Sequence, residues 1–262
     1  RGVNVDLSGK TALVTGGSLG LGRAMASAFH SAGANVALLA RRDGPLKEAQ
    51  KEIKQNGPGK VGAYPCDVSD AAEIATVHKH VVETMGPVDI LVNNAGVGRG
   101  FGPIVDADPI DIDCTLDTNV RAAVHAVRAV LPSMIARGMG HIVNVGSMAG
   151  LYPLSSAVYG ASKGALHVLS MDLRLELQGT GIRVTEICPG RVRTEFYDAA
   201  LDHPKERQRA KDSGIEELTS EDIAASVIYA LDAPWRVNVN RIELQPTEQT
   251  YGGFQFSPRE SR

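Results

Sequence analysis

A tyrosine and a lysine four residues apart are the clearest candidates for chemistry in this sequence. Tyr159 and Lys163 form a Tyr-x-x-x-Lys pattern, so on a helix both side chains point to the same side. A free phenol has a pKa of about 10, but a neighbouring ammonium group stabilises the phenolate and lowers that pKa. Such a tyrosine can donate a proton to a carbonyl oxygen or withdraw one from an alcohol. Ser147, twelve residues before the tyrosine, is expected to hydrogen-bond the same oxygen.

A glycine-rich turn near the start of the sequence indicates a site for phosphate groups. The segment Thr15-Gly16-Gly17-Ser18-Leu19-Gly20-Leu21-Gly22 lies between an apolar run and an amphipathic stretch. Its glycines at 16, 20 and 22 permit a tight turn, a close approach of the backbone to a pyrophosphate, and close packing of the following helix. The free N–H groups and partial positive charge at the start of that helix attract phosphates. The context therefore predicts a dinucleotide-binding turn.

The residues after the second apolar run indicate which dinucleotide binds. Arg41 and Arg42 follow Ala40, and no Asp or Glu occupies positions 40–42. Sites selective for NAD place a carboxylate there for the ribose 2′-hydroxyl, whereas arginines pair with the 2′-phosphate of NADP. The sequence therefore predicts NADP(H) as the cofactor. Asp43, which comes slightly late for that carboxylate, leaves NAD as the alternative.

Short apolar runs alternate with stretches of helical spacing along the whole sequence. Runs of consecutive apolar residues are expected where helices cover both faces of a parallel sheet. Strands are predicted at residues 12–15, 36–40, 61–64, 90–92, 141–145, 183–187 and 241–244, and helices between them include residues 20–32, 70–85 and 219–231. The paired residues Asp70 with Glu73 and Thr219 with Asp222 are expected to cap the last two of these helices. The pattern predicts an α/β fold with one domain over residues 1–262, a doubly wound parallel sheet of about seven strands with helices on both faces.

Two segments outside this alternation are expected to lie above the sheet, near the carboxyl ends of the strands. Residues 96–102 contain four glycines, and residues 195–217 are rich in charge and are interpreted as a substrate lid. Residues 247–262 are interpreted as a C-terminal tail. The predicted pocket has an apolar part that suits a hydrophobic ketone, and arginines that could receive a carboxylate. The apolar residues are Phe101, Met148, Leu151, Leu154 and Phe196, and the arginines are Arg99, Arg191 and Arg193.

The order and spacing of these motifs resemble those of the short-chain dehydrogenase/reductase family. The resemblance rests on the G-x-x-x-G-x-G turn, Asn93-Asn94-Ala95-Gly96 after the fourth run, Asn119, Ser147, the Tyr159–Lys163 pair, and Pro189-Gly190 after the sixth run. It covers residues 10–244 and implies a Rossmann fold and an oxidoreductase that acts on CH–OH groups or reduces carbonyls. Residues 189–196 and 237–247 look more like the NADP-dependent 3-hydroxy-acid (serine-type) dehydrogenase branch than like 3-ketoacyl reductases.

The resemblance also assigns roles to individual residues. It implies Asn119, Ser147, Tyr159 and Lys163 as catalytic residues, with Asn119 in a water-linked proton relay and Lys163 on the nicotinamide ribose. It places Asp67 on the adenine amino group, Asn94, Ala95 and Gly96 under the adenosine ribose, and Pro189, Gly190, Val192 and Thr194 along the nicotinamide. The remaining cofactor-binding residues are Gly16, Ser18, Leu19, Gly20, Leu21, Gly22, Arg41, Arg42 and Val68, together with Tyr159 and Lys163.

Composition argues against several other classes of protein. The 262 residues carry a formal net charge of −3, which argues against nucleic-acid binding through net positive charge. Three cysteines far apart form neither a disulfide scaffold nor a zinc pattern, and no metal is predicted. The seven histidines are expected at the surface or partly buried. No apolar run approaches the roughly 18 residues of a membrane helix, so we expect a soluble protein of the reducing cytoplasm. Because the first residue is Arg1, the natural chain is expected to begin earlier.

Small residues along two predicted helices favour close contact between subunits. They lie within residues 121–137 and 158–178, which related enzymes pair across an interface, so a homodimer or homotetramer is predicted. The favoured function is an NADP(H)-dependent carbonyl reductase or alcohol dehydrogenase. Alternatives are an NAD-dependent alcohol or 3-ketoacyl-type dehydrogenase, a non-catalytic nucleotide-binding protein, and a lyase or epimerase that uses bound nicotinamide transiently.

Overall fold

A parallel sheet of seven strands runs through the part of the chain that the computed structural model describes, residues 5–100, 102–153, 156–200, 203–249 and 256. The strands are β1 (Thr11–Thr15), β2 (Asn35–Ala40), β3 (Val61–Pro65), β4 (Ile90–Asn93), β5 (Gly140–Val145), β6 (Ile182–Pro189) and β7 (Arg241–Leu244). Their order is β3-β2-β1-β4-β5-β6-β7, and every neighbouring pair is parallel. The predicted doubly wound sheet is confirmed, and each predicted strand agrees with the observed one to within two residues at either end.

Helices connect the strands, and their ends follow the predicted capping chemistry with one exception. The helices are α1 (Gly20–Ser31), α2 (Asp43–Ile53), α3 (Ala71–Met85), α4 (Pro109–Leu116), α5 (Ala122–Arg137), α6 (Ala157–Glu176), α7 (Phe196–Ala200), α8 (Pro204–Lys211) and α9 (Ser220–Asp232). Thr219 and Asp222 form a reciprocal capping box at α9. Asp70 caps α3, but Glu73 accepts a hydrogen bond from the backbone N–H of Asp67 instead of completing the box. Among these helices none is long and apolar enough to cross a membrane.

Helices cover both faces of the sheet, which explains the consecutive apolar residues in its strands. On one face, Phe29 of α1 and Val227 of α9 pack against Val14. On the other face, Leu13 packs with Val81 of α3 and with residues of α5 and α6. Neighbouring residues of β1 are therefore buried in two different cores, because successive side chains of a strand point to opposite faces.

Two histidines lie deeper than the sequence suggested. His30 and His141 are buried, at 0% and 3% exposure, so the expectation of surface or partly buried positions is wrong for them. The Nε2 atom of His141 lies 2.7 Å from the Thr185 hydroxyl on the neighbouring strand. Burial lowers the pKa of His141 to about 3, so this imidazole is neutral at physiological pH.

The strand order reverses direction between β1 and β4, and this reversal places the functional residues. Connections from β1 and from β4 leave toward opposite sides of the sheet, which opens a crevice at their carboxyl ends. The Thr15 hydroxyl at the end of β1 donates to the carbonyl of Val92 and accepts from the backbone N–H groups of Asn94 and Ala95. One threonine thus fixes the loop after β4 beside the glycine turn after β1.

Candidate active site

A cavity of about 710 Å³ lies at the carboxyl ends of the strands, where the sequence predicted a ligand. A volume of this size is typical of small-molecule and cofactor sites. Of the predicted site residues, the cavity is lined by Gly16, Leu19, Gly20, Leu21, Arg41, Arg42, Asn94, Ala95, Gly96, Ser147, Tyr159, Lys163, Pro189, Gly190, Val192 and Thr194. Ser18, Gly22, Asp67, Val68 and Asn119 are not among the lining residues. Most of the predicted residues are therefore brought together around one cavity, and these five do not line it.

The glycine turn is closely packed and leaves no space for side chains at Gly16 and Gly22. Gly16 and Gly20 have φ angles of +64° and +50°, in the left-handed region that favours glycine. A Cβ at Gly16 would lie 2.8 Å from Asn94 Nδ2, and one at Gly22 would lie 2.3 Å from the carbonyl oxygen of Gly16. Asn94 Nδ2 donates to the carbonyls of Thr15 and Gly16 and holds the turn closed. The turn and the start of α1, where Leu19 supplies no capping side chain, therefore fit the pyrophosphate of a dinucleotide.

The two arginines after β2 line the cavity, whereas the nearby carboxylate of Asp43 does not. Arg41 and Arg42 are exposed and line the cavity. Asp43, the residue that left NAD as an alternative, pairs with Lys47 at 2.6 Å on α2. The carboxylate of Asp67 accepts hydrogen bonds from the backbone and hydroxyl of Ser69 and thereby shapes the loop after β3. This arrangement presents positive charge where a 2′-phosphate would lie.

Three of the predicted catalytic side chains meet at the other end of the cavity. Ser147 follows β5, and Tyr159 and Lys163 lie in the first two turns of α6. The Ser147 hydroxyl accepts a hydrogen bond from the backbone N–H of Ala149 and is itself hydrogen-bonded to Tyr159. Lys163 Nζ lies 5.9 Å from the centre of the Tyr159 ring and donates to the carbonyl of Val145 at 2.8 Å. The Tyr159 phenol and the Ser147 hydroxyl are therefore in hydrogen-bond contact, and the Lys163 ammonium group lies near the Tyr159 ring.

Burial dominates the ionisation of this pair. It raises the pKa of Tyr159 to about 12, and the hydrogen bond with Ser147 opposes the rise without cancelling it. Burial also lowers the pKa of Lys163 to about 8. The predicted lowering of the tyrosine pKa combines the lysine with the positive nicotinamide ring of an oxidised cofactor, and in the protein without cofactor the effect of burial is the largest. The ammonium group is directed to a backbone carbonyl, and the phenol is only partly exposed at the cavity.

Asn119 lies in a π-helical turn (Asp117–Arg121) between α4 and α5, and it is 1% exposed. Its side-chain oxygen accepts from the backbone N–H of Val97 at 2.8 Å, and its amide donates to the Val97 carbonyl and to the Ser162 hydroxyl, both at 2.9 Å. These bonds tie the loop after β4 to α6, one residue from Lys163. The proton-relay role for Asn119 stays a prediction.

The arginines expected to receive a substrate carboxylate have different environments. The guanidinium of Arg191 is buried, pairs with Glu217 at 2.7 Å and donates to the Tyr197 hydroxyl at 2.9 Å. Its charge is therefore already balanced by a protein carboxylate, contrary to the expected role. Arg99 lines the cavity and has Nε 3.8 Å from Asp111, whereas Arg193 is exposed and is not among the lining residues. The predicted pocket residues Phe101 and Leu154 lie outside the described residues.

Several cavity residues were not identified from the sequence. They include Cys114, Ser156, Tyr197, Arg207 and Gln249. Most come from segments that fold back over the sheet, such as Gln249, whose side-chain oxygen accepts from the backbone N–H of Arg191. Ser156 is the N-cap residue of α6 and lies three residues before Tyr159. Among the described residues there is no group of three or more His, Cys, Asp or Glu side chains that could hold a metal ion.

Comparisons with known proteins identify relatives over nearly the whole chain. A family model described as short chain dehydrogenase matches residues 10–205. Sulfoacetaldehyde reductase 2 of Chromohalobacter salexigens is 39% identical over 244 residues, which cover 92% of this chain and 96% of that protein. The NADP-dependent 3-hydroxy acid dehydrogenase of Salmonella typhimurium is 35% identical over 92% of this chain and 97% of its own length. The solved structure of a serine dehydrogenase in its closed form with NADP⁺ has a TM-score of 0.85 at 35% identity, covering 93% of this chain and 97% of that chain.

Proposed function

The chain belongs to the short-chain dehydrogenase family, and on that basis we propose that it is an NADP(H)-dependent oxidoreductase that interconverts a carbonyl group and an alcohol. One observation carries the proposal: Ser147, Tyr159 and Lys163 line the same cavity as the glycine turn and the two arginines after β2. NADPH, when bound, supplies the hydride for reduction. The chain's own residues bind and orient the two reactants and deliver the proton.

We assign the proton transfer to Tyr159. Its hydroxyl is neutral at physiological pH, and burial raises its pKa further, so it can donate a proton to the substrate oxygen during reduction. The Ser147 hydroxyl hydrogen-bonds the same oxygen and orients the carbonyl. Lys163 holds the ribose of the cofactor and carries positive charge near the phenol, and Asn119 fixes the loop that packs beside them. We propose that residues 195–217, whose described part contains α7 and α8, act as the substrate lid.

We propose NADP(H) as the cofactor because of the charge at the ribose end of the cavity. Arg41 and Arg42 pair with the 2′-phosphate, and the glycine turn from Gly16 to Gly22 holds the pyrophosphate. Asp67 and Val68 lie at the adenine end, and Asn94 to Gly96 lie under the adenosine ribose. Pro189, Gly190, Val192 and Thr194 line the nicotinamide end. Two relatives are described by NADP in their own names or titles, which supports this choice.

Cofactor preference tests the arginine assignment directly. The wild-type kcat/KM with NADPH should exceed that with NADH, and Arg41→Ala/Arg42→Ala should lower the NADPH value by roughly tenfold to hundredfold, because charged hydrogen bonds to the phosphate are lost. The NADH value should stay unchanged. Lys47→Ala is the matched control, since it removes an exposed cation from α2 outside the cavity lining. A wild-type preference for NADH contradicts the assignment.

We further propose that the substrate is a short carbonyl compound that carries an acid group. Two relatives are named for such compounds, a sulfonated aldehyde in one case and hydroxy acids in the other. A panel of ketones, oxo acids, sulfo aldehydes and the corresponding esters, assayed by NADPH absorbance, tests this choice. Fastest turnover of uncharged ketones contradicts the acid group, and the absence of any net NADPH consumption contradicts the oxidoreductase itself.

We propose a homodimer or homotetramer held through α5 and α6. The exposed side of these helices carries apolar residues that water would otherwise contact: Val124, Val168, Met171 and Leu175, each more than 40% exposed. Light scattering tests the assembly, and a monomer at micromolar concentration contradicts it. Cys66, Cys114 and Cys188 are all free thiols, which supports the cytoplasm as the compartment we propose.

A further inference from the structure

The serine at the start of α6 has a hydroxyl that makes no hydrogen bond with the residues that the structure describes. Ser156 occupies the N-cap position and is 3% exposed. A serine there normally accepts a hydrogen bond from a backbone N–H of the first helical turn, but this side chain makes no capping bond. Its Oγ has no hydrogen-bond partner among the described residues. A buried hydroxyl left unpaired is costly, so its presence points to a partner from outside the chain.

Ser156 is positioned beside the reaction centre. It lines the cavity together with Ser147 and Tyr159. Residues three apart are neighbours on a helix surface, and helical side chains lean toward the N-terminus, so the Tyr159 side chain extends over the turn that contains Ser156. A substrate whose carbonyl oxygen contacts the hydroxyls of Ser147 and Tyr159 has its adjacent carbons close to this turn.

The surroundings of Ser156 favour a negative ligand group. Helix α6 has 20 residues, and the partial positive charge at its N-terminus lies at Ser156. Arg99 and Arg207 line the same cavity. Of the carboxylates that line it, Asp198 pairs with Lys211 at 2.7 Å, and Glu195 lies beside Gly20 at the glycine turn. A hydroxyl that can donate and a positive helix end together suit an oxyanion.

We propose that Ser156 and the first turn of α6 bind the acid group of the substrate, a carboxylate or sulfonate, while Ser147 and Tyr159 hold its carbonyl oxygen. This inference rests on the proposed function and adds the place where the acid group binds. Ser156 donates its hydroxyl proton to one acid oxygen, and the helix end stabilises the charge. Ser156 determines specificity, because an uncharged substrate of the same length has no acid group for its hydroxyl to bind.

The test is Ser156→Ala assayed with NADPH on a short oxo acid and on the methyl ester of that acid. The wild type should prefer the acid. The variant should lose roughly tenfold to hundredfold in kcat/KM for the acid, mainly through KM, because a hydrogen bond to a charged group is removed. Its kcat/KM for the ester should stay within about threefold. The thermal midpoint should not fall, since the Ser156 hydroxyl has no hydrogen-bond partner to lose within the described part of the chain.

Ser170→Ala is the matched control, the same substitution in the same helix at a buried serine. The Ser170 hydroxyl donates to the carbonyl of Leu166 at 2.7 Å and accepts from the amide of Asn144 at 2.8 Å. Its removal should lower the thermal midpoint and leave the ratio of acid to ester kcat/KM unchanged.

The outcomes separate this inference from the proposed function. Equal losses on acid and ester by Ser156→Ala, or a fall in thermal midpoint like that of Ser170→Ala, would show a structural role and overturn the inference while the oxidoreductase assignment stands. A wild type that prefers the ester also overturns it. A wild type that consumes no NADPH with any carbonyl compound overturns both.

Discussion

Glu217→Ala should destabilise the protein far more than an ordinary surface substitution. The side chains of Glu217 and Arg191 are 8% and 6% exposed, and Arg191 Nε lies 2.7 Å from Glu217 Oε1. Removing one partner of a buried ion pair leaves the other charge without compensation, which costs about 3–5 kcal/mol. In a chain of this length such a loss corresponds to a fall in Tm of roughly 6–20 °C. The hydrogen bond that the Ser213 hydroxyl donates to Glu217 is lost as well.

The double variant Arg191→Met/Glu217→Met distinguishes an uncompensated charge from a simple loss of contact. Replacing both members of a buried pair by apolar side chains is often nearly neutral, so the double variant should be more stable than Glu217→Ala. The assay is urea unfolding followed by circular dichroism. Asp198→Ala is the control, because it breaks the exposed pair with Lys211 and should cost under about 1 kcal/mol.

Equal costs for Glu217→Ala and Asp198→Ala would refute the reasoning, since the buried and exposed pairs would then be equivalent. Activity gives a second readout of the same contact. Arg191 donates to the Tyr197 hydroxyl, and the neighbouring Phe196 ring lies 5.5 Å from the Tyr159 ring. Loosening the lid should therefore raise KM for the substrate, with less effect on the affinity for NADPH.

Four further predictions follow from the same geometry. Tyr159→Phe should lower kcat by roughly 10²–10⁴-fold and leave NADPH affinity, measured by fluorescence, nearly unchanged; substantial residual turnover would contradict its role. Oxidation of the alcohol should need a higher pH than reduction of the carbonyl, and coincident pH profiles for kcat/KM would contradict this. His141→Gln should make the free energy of unfolding less dependent on pH under acid conditions. The pKa of His141 is about 3 in the folded protein and 6.5 in the unfolded chain, so between these pH values the unfolded chain binds one proton more. The free energy of unfolding of the wild type should therefore fall by up to roughly 5 kcal/mol as the pH falls through this range. Gly22→Ala should abolish tight NADPH binding in a fluorescence titration, because its Cβ would meet the Gly16 carbonyl at 2.3 Å, and an unchanged affinity would contradict the model of the turn.

The strands and the glycine turn were predictable because their signals are local. β1 lies between two cores, so each of its residues is buried and the run is continuously apolar. The end of β6 was placed two residues early, since Cys188 and Pro189 do not resemble strand residues although both are buried. The glycine turn has an apolar strand before it, three glycines within it and a helix after it, and local steric requirements determine each of these features.

The environment of Arg191 was not predictable, because it depends on a residue far along the chain. Nothing near Arg191 in sequence distinguishes it from Arg193, and both were expected to face a substrate. The difference arises where Leu218 pairs with the backbone beside Arg191, at the bridge to Val192, which brings Glu217 under the guanidinium. The environment of Ser156 was not predictable either. A serine directly before a helix predicts a capping hydrogen bond, but Ser156 makes no such bond in the folded chain.

The protonation states of the catalytic pair follow from burial and indicate what the protein alone is prepared to do. With the pKa of Tyr159 near 12 and that of Lys163 near 8, the site at neutral pH holds a neutral phenol and a charged ammonium group. A neutral phenol is the form that can donate a proton to a carbonyl oxygen, so reduction needs no prior ionisation. Oxidation of an alcohol needs the phenolate, and the hydrogen bond with Ser147 alone does not stabilise it enough. Further positive charge at the nicotinamide end must therefore favour the phenolate in the oxidative direction, which makes the acid–base chemistry of Tyr159 depend on the bound cofactor.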